Sequence, residues 1–410
     1  MCGIASPFPF SPHSSHFVSQ ASAYPLGATV TVAQLARDPY PTFHQLRAAE
    51  PVTWAPALDQ WLVTSRDIGL EVLRDHQRFR TDASRSPILD TFGAQMLSTE
   101  GEAQRRYKSA CAPPFNARAV EHTRPLVDQV VDAHVSRLQA AERADLRTDY
   151  AAPIALETVA RVIGLPPALD AQLREWYDTF ADALSNYEGD ASTRLRAHAA
   201  VRAFHAAIAP RIAAPDEAER SLLSELACAD PRQLDEAEIC ANALIVLFGG
   251  IETTEGLISN ALWALLTHPE ALHRARTNDD DLSRCIEESL RWEPAVQTCS
   301  RYAASELDLH GAHIPEGALV QCMIGAMNRD PAHFAQPDRF NPWRHESLAH
   351  TAFGFGRHFC LGAALARLEA TVAISRVFQA FPRLQLDRER SAPPRGHEFR
   401  KPQALVVSLA

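Results

Sequence analysis

A single cysteine near the end of the chain lies in surroundings unlike those of the other seven. Cys360 belongs to the segment FGFGRHFCLG, in which three phenylalanines and three glycines accompany it. Residues 361–381 repeat apolar side chains at helical spacing, which places this cysteine at or just before a helix N-terminus. Unpaired backbone amides and the positive end of the helix dipole lie there. We therefore expect the pKa of the thiol to be lowered and the thiolate to be favoured.

The residues around this thiol favour one kind of metal ligand. Phe353, Phe355 and Phe359 would keep water and oxidants away from the sulfur. A shielded thiolate without a second cysteine nearby suits the axial position of a haem iron better than a site with four protein ligands. Arg357 and His358 offer charge or hydrogen bonds for a porphyrin carboxylate. The alternative is a reactive or simply buried cysteine at a helix start, which does not account for the glycines and aromatic rings.

The other cysteines indicate the compartment of the protein and not a second site. They form no C-x-x-C pair, and their spacing matches neither a zinc site nor a disulfide framework. Scattered cysteines in a large chain without a secretory signal are typical of the reducing cytoplasm, where they pack as small apolar side chains. They are Cys2, Cys111, Cys228, Cys240, Cys285, Cys299 and Cys322.

A long apolar helix is the second feature with chemical content. It is predicted to begin near Asp235 and to end at about His268, because Pro269 stops it. Its centre, ALIVLFGGIETTEGLISNALWALL, is apolar nearly all round, so we expect it to cross the core. Gly249 and Gly250 interrupt this centre, although each costs about 1 kcal/mol relative to alanine in a helix interior.

Polar residues follow the two glycines within the same apolar helix. Glu252, Thr253 and Thr254 are costly to bury unless they are hydrogen-bonded. In one interpretation, the glycines permit a close helix crossing and the threonines bond back to the i−4 carbonyl. In the other, the helix is opened beside a flat ligand, with a proton-handling pair at the opening. The residues alone leave both interpretations open.

The elements that must position these residues are mainly helical. Residues 51–55 and 60–65 alternate in polarity and predict a hairpin near the N-terminus. The acidic run 279–281 is predicted to be a solvated loop. Further strands are predicted at Leu307–Leu309, Leu319–Met323 and 405–409, and helices at 119–140, 167–184 and 194–213. The fold class is therefore mainly α with a small β-rich part.

Composition excludes several classes of function. The chain has 410 residues and a net charge of −10 without a basic block, which argues against nucleic acid as the main partner. It has no uninterrupted run of about 18 apolar residues, so no membrane span is expected. The N-terminus lacks the features of a secretory signal, and residues 1–30 are predicted to be a poorly ordered lead-in. No linker divides residues 31–410, which we expect to form one domain.

The motif around the cysteine resembles that of a known family. Phe353, Gly356, Cys360 and Gly362 match F-x-x-G-x-x-x-C-x-G, which resembles the haem-binding signature of the cytochrome P450 superfamily. The segment GGIETT resembles the oxygen-activating part of the family's long distal helix. The order of the motifs agrees over about residues 35–410, and the absence of a membrane anchor resembles the soluble bacterial members.

Two further motifs extend the resemblance to the protein core. Glu288 and Arg291 match the family's E-x-x-R helix. Arg339 and Phe340 occupy the D-R-F position in the segment that precedes the haem loop. The resemblance implies a buried structural ion pair tied to the Arg339 region. Loss of one partner of such a pair typically costs about 3–5 kcal/mol.

The resemblance also implies a cytochrome P450 fold with a central distal helix over the haem and a proximal cysteine loop. Cys360 is then the axial ligand of the iron of haem b. Thr253 and its acidic neighbour Glu252 are implied to deliver protons to dioxygen through water, with Thr254 as the adjacent residue that could be confused with Thr253. The glycines and the aromatic residue implied to contact the haem are Gly249, Gly250, Gly354, Gly356 and Phe353.

Haem carboxylates need hydrogen-bond donors. The resemblance assigns this role to Arg301 and His358. A third contact comes from an H-x-x-x-R element in relatives, and here Gln104 and Lys108 occupy the two positions. Both remain donors, but lysine cannot form the bidentate contact of arginine.

The implied activity is that of a monooxygenase, which places one oxygen atom in an organic substrate and reduces the other to water. The chain has no dinucleotide-binding turn and no room for a fused reductase, so electrons from NAD(P)H are expected through a ferredoxin and its reductase. We expect a cytoplasmic monomer. The cationic residues expected to dock an acidic ferredoxin are Arg105, Arg106, Lys108, Arg357 and Arg367, although ordinary solvated charge is the alternative for each.

A small or medium hydrophobic molecule is the expected substrate, because the segments that face the pocket in relatives are mostly apolar here. Gln297 and Thr298 are the candidates for orienting it. The pocket candidates are Ile88, Leu89, Phe92, Met96, Phe180, Leu184, Ile245, Phe248, Val296, Gln297, Thr298 and Phe399.

Four other functions compete with this one. A P450 that couples or desaturates its substrate would share every motif. A peroxide-using haem-thiolate enzyme is disfavoured by the Glu252–Thr253 pair, because peroxide already carries its protons. A haem sensor without turnover would need an output domain, which the sequence does not suggest. A structural helical protein without haem would leave the cysteine motif unexplained.

Overall fold

The computed structural model describes residues 23–84, 86–184, 190–216, 219–229 and 233–409. Most of these residues are helical, and the strands form small sheets, which confirms the predicted fold class. Of the predicted lead-in, residues 1–22 lie outside the described residues. Tyr24 stacks edge-on against Trp61 at 5.1 Å between ring centroids, and Val30 is 1% exposed. The packed part of the chain therefore includes residues 24–30, which the prediction had assigned to the lead-in.

The α-helices of the described residues are α1 (Val32–Arg37), α2 (Tyr40–Ala49), α3 (Arg66–Arg74), α4 (Pro87–Phe92), α5 (Gly101–Cys111), α6 (Ala117–Leu138), α7 (Ala152–Ile163), α8 (Asp170–Leu184), α9 (Ala191–Ala213), α10 (Leu222–Cys228), α11 (Glu236–Thr267), α12 (Pro269–Thr277), α13 (Asp279–Trp292), α14 (Ile324–Met327) and α15 (Ala363–Ala380). The strands are β1 (Val52–Ala55), β2 (Gln60–Val63), β3 (Phe79–Arg80), β4 (Arg143–Asp145), β5 (Thr298–Ala303), β6 (Leu307–Leu309), β7 (Ala312–Ile314), β8 (Leu319–Met323), β9 (Gln385–Leu386), β10 (Ala392–Arg395), β11 (Lys401–Ala404) and β12 (Val406–Ser408).

Helix α11 has the limits that its sequence predicts. Asp235 accepts a hydrogen bond from the Glu238 amide at 2.8 Å, and Glu238 accepts one from the Asp235 amide at 3.0 Å. This capping box satisfies two free amides at the helix start. The helix ends at His268, where Pro269 opens α12. By length and composition α11 alone among the described helices could cross a bilayer, yet most of its residues are buried among the other helices.

The sheet that packs beside the helices has five strands in the order β1-β2-β8-β5-β3. Strands β1 and β2 form the predicted antiparallel hairpin, with Trp54 opposite Trp61. Strand β2 runs parallel to β8, which pairs Trp61 with Val320 across a long connection. The inward faces of these strands make a second apolar core beside the larger helical one.

The acidic run at 279–281 does not form the predicted loop. It is the first turn of α13, and the Asn278 side chain caps this turn by accepting a hydrogen bond from the Asp281 amide at 3.0 Å. Carboxylates are stabilised by the positive end of the helix dipole, so an acidic run after an asparagine marks a helix start.

A buried ion-pair network ties α13 to the segment before the cysteine loop. Glu288 and Arg291, both 0% exposed, share two hydrogen bonds of 2.8 Å. Arg291 also donates to the Arg339 carbonyl at 3.2 Å, and Arg344 donates to both oxygens of Glu288 at 3.0 Å. The network therefore fixes where the chain enters the cysteine loop.

Candidate active site

A cavity of about 300 Å³, which we call the inner cavity, lies between the middle of α11 and the loop that carries Cys360. Its walls are mostly apolar, and they come from α5, α7, α11, α15 and the cysteine loop. The residues that line it include Met96, Leu97, Phe115, Val159, Ile245, Val246, Leu257, Leu290, Ala295, Val296, Phe353, Leu361 and Leu365. The cavity thus joins the two parts of the chain that the sequence marks for chemistry.

The two adjacent glycines of α11 have different tasks. A Cβ atom added to Gly249 would meet nothing within 4 Å, so this glycine opens the helix surface to the cavity. A Cβ atom added to Gly250 would lie 2.5 Å from Cγ2 of Val159, so this glycine permits close packing against α7. Both interpretations of the glycine pair therefore apply, one to each residue.

The cysteine loop presents its thiol to the cavity. Gly354 and Gly356 have φ angles of +74° and +73°, which other residues rarely adopt, and they turn the loop back on itself. The Cys360 amide donates to the Phe353 carbonyl at 2.9 Å. Cys360 lines the cavity, and α15 begins at Ala363.

The acidity of this thiol differs from the expectation. Burial raises the pKa of the Cys360 thiol, while the Gly362 amide and the charges of Lys108 and Arg367 act in the opposite direction. Desolvation outweighs the helix terminus because the site is surrounded by apolar groups. This direction is opposite to the lowering that the helix terminus predicts. A coordinated metal ion deprotonates a thiol by its own charge.

The residues present fit a haem. Among the described residues, no group of three or more His, Cys, Asp or Glu side chains could hold a metal ion, so a metal at Cys360 would need most of its ligands from a cofactor. A thiol that faces an apolar cavity supplies the one axial ligand that haem iron takes from a protein. Gly249 lines the same cavity and leaves open space where a side chain would otherwise extend into it.

The predicted acid–alcohol pair is divided between two sides of α11. Thr253 and Thr254 line the inner cavity, and the Thr253 hydroxyl donates to the Gly249 carbonyl at 2.6 Å. Glu252 lines a second cavity of about 760 Å³, which we call the outer cavity. Its carboxylate accepts a hydrogen bond from the Tyr177 hydroxyl and lies 2.8 Å from Nζ of Lys401. Glu252 and Thr253 therefore do not meet in this structure.

Tyr177 and Lys401 are residues that sequence reasoning missed. They come from α8 and β11, far from Glu252 in the chain, and no local pattern links them to it. Burial, and next the charge of Glu252, raise the pKa of the Tyr177 hydroxyl, which stays protonated as a donor. Lys401 also lies 2.9 Å from Glu255, which pairs with Arg147 at 3.2 Å. The polar side of α11 is thus held by an ion-pair network.

Two of the predicted haem-carboxylate donors lie on α5 and bind the cysteine loop. Lys108 Nζ donates to the carbonyls of Arg357 and Phe359 at 2.6 and 2.7 Å. Gln104 Nε2 donates to the same Arg357 carbonyl at 3.1 Å. Both side chains also line the cavity.

The other two predicted donors differ in position. His358 lines the cavity, but its Nε2 atom pairs with Oε1 of Glu100 at 3.1 Å. Arg301 lies outside the residues that line the cavity; it is 5% exposed and donates to the Ser300 carbonyl at 2.8 Å. The structure therefore brings His358 to the site, whereas Arg301 is buried in the sheet beside it.

The predicted substrate residues separate into three groups. Met96, Ile245 and Val296 line the inner cavity, and Leu184, Phe248 and Phe399 line the outer cavity. Phe92 and Phe180 pack in an aromatic cluster with Phe248 and Phe399, with ring-centroid distances of 5.4, 5.5 and 6.3 Å for Phe92–Phe180, Phe92–Phe248 and Phe248–Phe399.

Six pocket candidates line neither cavity: Phe92 and Phe180, which belong to this aromatic cluster, and Ile88, Leu89, Gln297 and Thr298. Gln297 is 1% exposed, and its Nε2 atom donates to the Pro294 carbonyl at 2.7 Å. The amide nitrogen of Gln297 is thus bound to the backbone, while its buried Oε1 atom has no hydrogen-bond partner among the described residues. The orienting role of Gln297 and Thr298 stays a prediction.

Known proteins are similar in sequence to this one over most of the chain. The sequence profile of the cytochrome P450 family matches residues 197–406. The cytochrome P450 monooxygenase PikC of Streptomyces venezuelae is 34% identical over 364 residues, 86% of each chain. The biotin biosynthesis cytochrome P450 of Bacillus subtilis strain 168 is 30% identical over 88% of this chain and 93% of its own.

The fold agrees with this relationship. The crystal structure of P450BioI in complex with an acyl carrier protein ligated to hexadec-9Z-enoic acid superimposes with a TM-score of 0.82 at 30% identity. The match covers 92% of this chain and 100% of that one. Because the family profile covers half of the chain and a relative is 34% identical over 86% of both chains, this chain belongs to the cytochrome P450 family of haem-dependent monooxygenases.

Proposed function

We propose that this chain binds haem b through Cys360 and inserts one oxygen atom from O2 into a small or medium hydrophobic substrate. The observation that carries the proposal is that Cys360 lines an apolar cavity which the open position at Gly249 also lines. Bound through a thiolate, the haem would supply the activation of dioxygen. The chain supplies the ligand, the dry cavity, the donors at its edge and the path for protons.

Thr253 is proposed to hold water in the inner cavity. Its hydroxyl proton points to the Gly249 carbonyl, so its oxygen lone pairs are free to accept a hydrogen bond from water. Glu252 is proposed to carry protons from the outer cavity. Its carboxylate faces that cavity, so it must turn past the helix to reach Thr253. Tyr177 and Lys401 are the groups that hold it in the turned-away position.

The proposed substrate is apolar, because the inner cavity is lined mainly by aliphatic and aromatic side chains. Phe248 lines the outer cavity, while Ile245 and Gly249 on the same helix line the inner one. Within the aromatic cluster, Phe248 and Phe399 therefore border the outer cavity. Hydroxylation in secondary metabolism suits such a cavity, and relatives such as PikC and 6-deoxyerythronolide B hydroxylase carry related activities in their names.

We propose that the electrons come from NAD(P)H through a ferredoxin and its reductase, and that the protein works in the cytoplasm as one domain. The docking residues are less free than their sequence indicates. Arg106 pairs with Glu238, Arg367 pairs with Glu287 at 3.0 Å, and Lys108 binds the loop carbonyls. Arg105 and Arg357 are the remaining cations of the proposed docking set.

Salt dependence tests the docking face. Raising ionic strength should slow reduction of the haem by an acidic ferredoxin, because exposed charges lose their attraction beyond about 10 Å at 0.1 M salt. Reduction by dithionite, which needs no docking, is the control. A ferredoxin rate that does not change with salt would contradict an electrostatic docking face.

The monooxygenase proposal is tested with the haem-loaded protein. The reduced, carbon-monoxide-bound form should show the red-shifted Soret band of thiolate ligation, and Cys360→Ser should abolish it. Product should then form with NAD(P)H, ferredoxin, reductase and O2 from a compound that shifts the ferric spin state. Because Glu252 and Thr253 are apart, a parallel reaction with hydrogen peroxide is required. Turnover with peroxide alone would favour the peroxide-using alternative, and a protein that takes up no haem would refute both.

A further inference from the structure

We propose that Lys108 is a positioning residue that fixes the backbone of the Cys360 loop and sets the reduction potential of the bound haem. This inference rests on the proposed role of Cys360 as the axial ligand. It differs from the role that the family resemblance implies for this position, which is contact with a haem carboxylate.

The polar contacts of Lys108 converge on the cysteine loop. Its ammonium donates at 2.6 Å to the carbonyl of Arg357 and at 2.7 Å to the carbonyl of Phe359, the residue directly before the ligand. Gln104, one helical turn earlier on α5, donates to the Arg357 carbonyl at 3.1 Å. Two donors on one helix face thus bind the same short stretch of loop.

The peptide unit that precedes the ligand is held at both ends. Its carbonyl, that of Phe359, accepts from Lys108, and its N–H, that of Cys360, donates to the Phe353 carbonyl at 2.9 Å. A peptide unit is planar, so these two bonds together fix its orientation. This orientation fixes where the Cα atom of Cys360 lies, and the side chain that carries the sulfur extends from that atom.

The choice of lysine suits this task. An ammonium is a compact charge with three donors, which can serve two carbonyls that lie in different directions. The planar fork of arginine suits a single carboxylate instead. Lys108 is half-buried, and no acidic side chain pairs with it among the described residues. Its positive charge therefore acts on the Cys360 sulfur without a neutralising partner.

A positive charge beside the ligand has a defined electrochemical effect. Reduction adds negative charge to the iron–thiolate group, and a nearby cation stabilises the reduced form more than the oxidised one. Removal of the charge should therefore shift the reduction potential of the haem to more negative values. Loss of the two carbonyl contacts should also make the thiolate ligation easier to disrupt.

The experiment compares haem-loaded Lys108→Met, Lys108→Arg and Arg105→Met. Arg105 is exposed on the same helix as Lys108. Its variant therefore also removes one positive charge from α5, but it leaves the contacts between Lys108 and the loop in place. The potential is measured by spectroelectrochemistry without a redox partner. The strength of ligation is measured by mild heating of the carbon-monoxide complex. The rate is that at which the Soret band of the thiolate-ligated complex is replaced by the Soret band of the complex that has lost the thiolate.

We expect Lys108→Met to lower the potential and to speed this conversion about tenfold or more, because a hydrogen bond to a charged group is worth about 1.5 kcal/mol or more. Lys108→Arg should keep the potential near that of the wild type, even if Lys108→Met fails to fold. Equal values for Lys108→Met and Arg105→Met, or a lowered potential in Lys108→Arg, would overturn the inference alone. A wild type without the thiolate-ligated band would instead refute the proposed function.

Discussion

The ammonium nitrogen of Lys401 lies 2.8 Å from Oε1 of Glu252, and this ion pair directs the carboxylate to the outer cavity. Both side chains are mostly shielded from solvent, with 16% and 15% exposure. The Tyr177 hydroxyl donates to the other carboxylate oxygen. Movement of Glu252 toward Thr253 must therefore break at least one of these contacts.

Lys401→Met should release the Glu252 carboxylate for this movement. If that movement limits product formation, turnover should rise up to about tenfold and the solvent isotope effect should fall, because one charged contact is worth about 1.5 kcal/mol. Steady-state product formation in H2O and D2O measures both quantities. Lys401→Arg retains the charge and serves as the control. Identical isotope effects in all three proteins would exclude Glu252 release as a slow step.

Thr253→Ala should separate electron consumption from product formation. The variant loses the Thr253 hydroxyl of the inner cavity, so more of the electrons from NAD(P)H should reduce O2 to hydrogen peroxide. The ratio of product to NAD(P)H and the peroxide yield are the measurements. Thr254→Ala, which alters the adjacent threonine, is the matched control. Full coupling in Thr253→Ala, or equal uncoupling in both variants, would contradict the assignment.

Alanine at the two glycines of α11 should give opposite results. Gly249→Ala should stabilise the helix by up to about 1 kcal/mol but place a methyl group in the cavity, which should weaken haem uptake. Gly250→Ala forces a contact with Val159 and should cost about 1–3 kcal/mol of stability. Chemical denaturation and haem titration separate the two effects. Equal stability losses in both variants would show that Gly249 also serves helix packing.

Glu369 should make native stability fall as pH rises. This carboxyl is 2% exposed on α15, and burial raises its pKa well above the usual value of 4.5. Above that pH the unfolded chain releases a proton that the native state keeps, so stability falls by up to about 1.4 kcal/mol per pH unit until the native pKa is reached.

Glu369→Gln should remove this dependence, so its stability advantage over the wild type should grow between about pH 5 and pH 8. Denaturant titrations of the haem-loaded proteins across that range provide the measurement. Glu389→Gln, at an exposed acidic residue, is the control. A constant difference between Glu369→Gln and the wild type at every pH would show that Glu369 is ionised in the native state.

The sequence predicts those parts of the site that depend on local patterns. The capping residue Asp235 and the proline at 269 set the limits of α11, and the glycines at 354 and 356 give the turn before Cys360. The start of α13 was also present in the sequence as an asparagine before an acidic run, but the charges were interpreted as a solvated loop.

Orientations on a helix or strand depend on partners that are distant in the chain. Glu252 faces away from Thr253 because Tyr177 and Lys401 bind it, and neither residue lies near it in sequence. The thiol acidity of Cys360 likewise depends on packing, since burial outweighs the nearby helix terminus. These features arise from tertiary contacts, which periodicity and spacing do not encode.

The aromatic cluster beside the outer cavity has a consequence for selectivity. Its rings come from α4, α8, α11 and the turn before β11, and Phe248 contacts both Phe92 and Phe399. A bulky molecule that enters through the outer cavity past Phe248 and Phe399 would have to displace rings from several separate segments. Discrimination between compounds would then be kinetic, since bulky molecules are refused in transit before their fit beside the haem is tested.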